Sequence, residues 1–109
     1  MSLVTMLKER DEKRKKLRQD VIKEVSRLVS VLKKRYSFDS VYIYGSLLTD
    51  KFFFHSDIDL VIKGLKKEDF FKAYALLLKE SVYRIDLKPF EDMPVEMQEK
   101  VLLKGKEVG

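Results

Sequence analysis

The chain has no cysteine and only one histidine among its 109 residues. The first absence excludes disulfides, zinc–thiolate sites and a cysteine nucleophile, and it suits a reducing cytoplasm. Any metal would then be held by oxygen. No apolar run approaches the roughly 20 residues of a membrane span, and the N-terminus lacks the apolar core of a secretory signal. The expectation is a cytoplasmic protein without a membrane partner. There is also no internal repeat, low-complexity tract or linker, so residues 1–109 are expected to form one small domain.

What is present is charge and a modest apolar complement. Hydrophobic residues make up 45% of the chain, including seven Phe and five Tyr, enough to close a small core around a sheet. The net charge of +5 favours anionic partners such as nucleotides or RNA. With 38% charged residues of both signs, it is equally the mark of a well-solvated surface.

Periodicity gives the order of elements. From Leu17 through Val21, Val25, Leu28 and Leu32 the spacing is four, four, three, four, one face of an amphipathic helix over about residues 5–35. Such a helix would be roughly 45 Å long, longer than so small a domain is wide, and its charged first part is expected to project, fray or meet a partner. Ser40-Val41-Tyr42-Ile43-Tyr44 reads as a strand that stops at Gly45. Residues 57–63 read as a second strand, with Ile58, Leu60 and Ile62 on one face and Asp57, Asp59 and Val61 on the other. Phe70, Tyr74, Leu77 and Leu78 predict a helix over 67–80, and residues 82–88 a third strand. A last helix is expected from an Asp92 N-cap, with Pro94 in its first turn, to about Lys104, ended by Gly105. The fold class is therefore α/β (α+β), a small mixed sheet of three or more strands flanked by helices.

The candidate chemistry lies in the strands. Tyr44-Gly45-Ser46 is followed after ten residues by Asp57-Ile58-Asp59, and a strand turns both carboxylates to one side. Two anions this close repel and raise each other's pKa unless something cationic lies between them. Asp86, in the apolar run Tyr83-Arg84-Ile85-Asp86-Leu87, offers a third carboxylate from a neighbouring strand. Such oxygens suit one or two Mg²⁺ ions, which keep several waters and take further ligands from substrate phosphates. Gly45 lets the backbone approach a phosphate without a Cβ clash, and Ser46 offers a hydroxyl and an amide. A lone Asp-x-Asp pair is equally a solvated strand start; the glycine-serine turn and Asp86 are what favour a site.

With these residues in place, the chain resembles the DNA polymerase β-like nucleotidyltransferase superfamily. That signature is a strand ending in Gly-Ser, about ten residues, then Asp-x-Asp on the next strand, here YGSLLTDKFFFHSDIDLVI over residues 44–62. The third acid of the superfamily matches Asp86. The resemblance covers about residues 38–104, and the short length is similar to the minimal nucleotidyltransferase (MNT, MntA-like) group.

The resemblance implies Mg²⁺-dependent nucleotidyl transfer with ATP as substrate, Asp57, Asp59 and Asp86 as catalytic metal ligands, and Gly45 and Ser46 as triphosphate contacts. It also implies a HEPN-domain partner, neutralised as a toxin by its antitoxin through binding and through AMP attached to a tyrosine hydroxyl. The rival expectation is a non-catalytic antitoxin that acts by complex formation alone; an RNA acceptor is not favoured. Many relatives continue the turn as Gly-Ser-x-Ala-Arg-Gly, whereas Leu47-Leu48-Thr49-Asp50 stands here. Lys51 or Lys63 is then a candidate for the missing positive charge.

Three other features stand beside the motif. Phe52-Phe53-Phe54 could stack a base, dock a partner or cover the sheet. His55 reads first as a solvated loop residue. The Lys8 to Lys16 run interleaves Glu9, Asp11 and Glu12 without aromatic residues, which favours a solvated helix face over an RNA site.

Overall fold

The computed structural model of the protein describes residues 2–45 and 57–108. Helix α1 runs Leu3–Arg35, strand β1 Ser40–Tyr44, strand β2 Ile58–Lys63, helix α2 Lys67–Glu80, strand β3 Ile85–Pro89, helix α3 Val95–Lys104 and strand β4 Lys106–Val108. A 3₁₀ turn, Phe90–Asp92, links β3 to α3. The strands form one sheet in the order β3-β2-β1-β4. β1 pairs antiparallel with both β2 and β4, and β2 pairs parallel with β3. This is a mixed α+β fold with helices on both faces of a mixed four-stranded sheet.

The pleat of β2 divides the molecule. Ile58, Leu60 and Ile62 turn to one face, where they join Val21, Val25, Leu28 and Leu32 of α1, Ala73 and Leu77 of α2, and Ile85 and Leu87 of β3 in the main core. Leu28 and Ile58 are fully buried, each such side chain contributing about 1.5–3 kcal/mol relative to exposure. Val61 turns to the opposite face and packs with Phe90 and Val101, which seats the 3₁₀ turn and α3 there. Gln98 Nε2 donates to the Phe90 carbonyl at 2.9 Å, and the Gly64 amide donates to Glu91 Oε1 at 2.6 Å, fastening the turn to the end of β2.

Helix α1 has 33 residues, an axial length of about 50 Å, and the molecule measures 55 × 31 × 20 Å. Ser2 caps it, its Oγ accepting the Thr5 amide at 3.2 Å. The stripe from Val21 to Leu32 enters the core, whereas Leu3, Val4, Met6 and Leu7 remain exposed. The expected projection of its first part is thus observed.

Four expectations are corrected. β3 starts at Ile85 rather than residue 82, because Ser81 folds a turn in which its Oγ both accepts the Tyr83 amide and donates to the Tyr83 carbonyl at 3.0 Å, leaving Val82 exposed. Asp92 lies in the 3₁₀ turn and does not cap α3; Pro94 occupies the N-cap. On α2 the buried face is Ala73, Leu76 and Leu77, with Leu78 turned to solvent. β2 starts at Ile58 rather than residue 57, so Asp57 precedes the strand. β4, a strand beyond the three located by pattern, extends the sheet on the β1 edge.

Candidate active site

Three strand positions form a row across the sheet. In the register, Tyr44 lies opposite Asp59 on β1 and β2, and Asp59 lies beside Asp86 on β2 and β3. Register partners share a face, so both carboxylates project on the side opposite the main core, the side of Val61. Phe90 and Val101 cover Val61 one pleat further along, while Asp59 and Asp86 stay partly exposed. The row therefore forms an acidic shelf at the open end of a packed face.

Gly45 closes this shelf on the β1 side. Its φ is +89°, in the left-handed region that glycine occupies at no steric cost, and a Cβ built on it would fall 2.6 Å from Asp59 Oδ2. Any other residue would meet that carboxylate. The backbone at Gly45 thus lies close against the Asp59 carboxylate.

Among the described residues, two carboxylates on the shelf face one ammonium, that of Lys88. The Asp59 carboxyl is pushed up from its usual value first by burial, then by Asp86 and more weakly by Asp57, with Lys88 opposing. Lys88 stands two residues after Asp86 on β3, hence on the same face, and its Nζ lies 3.6 Å from Asp86 Oδ2. Sequence reasoning missed Lys88. The available signal was its i+2 spacing from Asp86 in a strand.

Of the expected site residues, Gly45, Asp57, Asp59 and Asp86 are among those described. Asp59, Asp86 and Gly45 are brought together. Asp57 precedes β2 and is exposed; among the described residues no group of three acidic or imidazole side chains is gathered closely enough to hold one ion. Ser46, Leu47 to Asp50, Lys51, Phe52 to Phe54 and His55 lie outside the described residues. Lys63 shares the Asp59 face but sits two pleats away, about 13 Å along the strand, with its Nζ 5.2 Å from the centroid of the Phe90 ring. A groove of about 350 Å³ lined by Leu65, Phe70, Phe71 and Pro89 lies by the far end of β3. Pro89 pairs with Ile62 and shares the main-core face, so this groove is not part of the shelf.

A small mixed sheet that sets paired aspartates beside a glycine turn defines a class of proteins that handle phosphate through carboxylates and a cation. The family model described as "Polymerase beta, Nucleotidyltransferase" matches residues 26–108, and the chain belongs to that family. No curated relative matches it. Among the described residues no helix is long and apolar enough to cross a membrane.

Members of this family generally use a nucleotide substrate and a divalent metal. The donor set here fits such an ion. Asp59 and Asp86 are oxygen donors in register on adjacent strands, and the Asp59 carboxyl is raised first by burial and then by Asp86, with Lys88 opposing. Two carboxylates with water and phosphate completing the shell is the pattern Mg²⁺ prefers.

Proposed function

We propose that the chain is a single minimal nucleotidyltransferase domain that moves AMP from ATP to a hydroxyl of a partner protein. The partner in this reading is a HEPN-domain protein paired with the chain as toxin to antitoxin, in the cytoplasm. The observation that carries the chemistry is the Asp59–Asp86 register beside Gly45. Asp57 and Asp59 are assigned as ligands of Mg²⁺, Asp86 as a further ligand facing the acceptor, and Gly45 and Ser46 as contacts of the triphosphate.

The reaction balances on these groups. The acceptor oxygen attacks the α-phosphorus, the bond to the β-phosphate bridging oxygen breaks, and pyrophosphate leaves. Asp86, a carboxylate at the open side of the shelf, receives the hydroxyl proton. Asp59, partly buried, would hold the divalent ion that engages the phosphate end of the substrate. Gly45 allows the main chain to approach that phosphate without a side chain intervening. A bound divalent ion would supply charge neutralisation at the phosphoryl oxygens. Much of the rate in such chemistry comes from positioning, which a small rigid sheet can provide.

A second reading is favoured by the first turns of α1, where Leu3, Val4, Met6 and Leu7 are exposed beside a basic run. In that reading the chain neutralises its partner by binding, with no transfer. Incubation with α-labelled ATP, Mg²⁺ and the purified HEPN-domain partner separates the two. Label on the partner that disappears in Asp59→Asn supports transfer. A tight complex with no label, unaffected by Asp59→Asn, supports binding alone; label on RNA would move the acceptor to nucleic acid.

A further inference from the structure

We infer that Lys88 is a positioning residue that holds Asp86 while the shelf carries no divalent ion, and that such an ion must displace its ammonium group to reach the carboxylate pair. The pleat of β3 puts Asp86 and Lys88 on one face, and the 3.6 Å contact ties Lys88 Nζ to Asp86 Oδ2. Asp86 is also the neighbour of Asp59 in the β2–β3 register. One ammonium thus meets Asp86 directly and lies on the sheet face that Asp59 shares.

The alternatives for this role are weaker. Among the described residues, Lys63 is engaged over the Phe90 ring, and the other charged groups acting on Asp59, Asp57 and Asp86, add negative charge. The Lys88 side chain is 56% exposed and that of Asp86 42%. A lysine this exposed can swing away on its flexible stem at little cost, so the pair acts as a releasable latch. It fixes Asp86 in one orientation, limits repulsion across the shelf, and lowers the affinity for a bare cation.

This inference rests on the acid pair being the metal site of the proposed function. Its test is Mn²⁺ binding, read by the loss of the free-ion electron paramagnetic resonance signal, with no nucleotide present. Placing a unit charge about 6 Å from a divalent ion in a water-like dielectric changes the binding constant by about tenfold, and side-chain motion and salt reduce this to about three- to fivefold. Lys88→Met should bind Mn²⁺ more tightly by that factor, and Lys88→Arg should restore wild-type affinity.

Lys63→Met, which removes the same charge from a distant point of the same sheet face, should change affinity by less than about twofold. Equal affinity in wild type and Lys88→Met, or weaker binding in the variant, overturns the inference while leaving the metal site standing. Equal tightening in both methionine variants also overturns it, as a general charge effect. No saturable Mn²⁺ binding by the wild type overturns the latch and the metal assignment together.

Discussion

Replacing Asp59 by Asn should stabilise the metal-free protein at neutral pH while removing its chemistry. Asp59 and Asp86 lie on adjacent strands in register, so their carboxylates are about 5 Å apart, and their repulsion is about 1 kcal/mol in a water-like dielectric. Asp59 is only partly buried, so this screened figure applies, and Lys88 offsets a portion. The expected gain is about 0.5–1 kcal/mol, equivalent to a rise in Tm of about 3–6 °C for a domain of this size.

The pH dependence follows from the direction of the shift. A carboxyl whose folded pKa lies above its ordinary value of 3.8 binds its proton more tightly in the folded state. Stability from this group therefore falls as pH rises from about 3.8 through the folded pKa, and the deficit is complete above it. Thermal unfolding in EDTA should show Asp59→Asn above wild type at pH 7 and level with it below about pH 3. Adding Mg²⁺ should then raise the wild type, by about 2.7 kcal/mol at a hundred times its dissociation constant, and leave the variant unmoved. A variant less stable than wild type at pH 7 in EDTA would refute the idea that Asp59 carries uncompensated charge.

Two further outcomes follow from the geometry. Gly45→Ala should cost about 1–3 kcal/mol by thermal or urea unfolding, since alanine meets both the +89° φ and the Asp59 carboxylate, and activity should fall more than stability; a neutral result would contradict the close approach. Deleting residues 1–10 removes exposed helix and should shift Tm by less than about 4 °C, whereas a large loss would show that those turns pack on the fold.

Much of the fold was legible because it is written in local patterns. β1 ends where Gly45 interrupts an alternating run, and α2 has the bounds its periodicity gave, Lys67–Glu80. β4 was not legible: three residues, Lys106-Glu107-Val108, carry one apolar side chain, and they become a strand only by pairing with β1. Gly105 permits that pairing by letting the chain turn tightly off α3, where a Cβ would fall 2.5 Å from the Val101 carbonyl oxygen. The start of β3 was misplaced because Tyr83 and Val82 look like strand residues, whereas the side chain of Ser81 folds them into a turn. Within the site, the Asp59–Asp86 pairing follows from register that no single strand encodes, and Lys88 gains meaning only from that register.

The central claim is that Asp59 and Asp86 together run a nucleotidyl transfer. The most direct measurement is release of pyrophosphate from ATP in the presence of Mg²⁺ and the proposed HEPN-domain partner, matched against AMP gained by the acceptor in mass spectra. The account predicts one pyrophosphate per AMP attached in the wild type, and a loss of about a hundredfold or more in Asp59→Asn and in Asp86→Asn. Transfer at the wild-type rate by either variant, or no pyrophosphate from a wild type that binds its partner tightly, would contradict it.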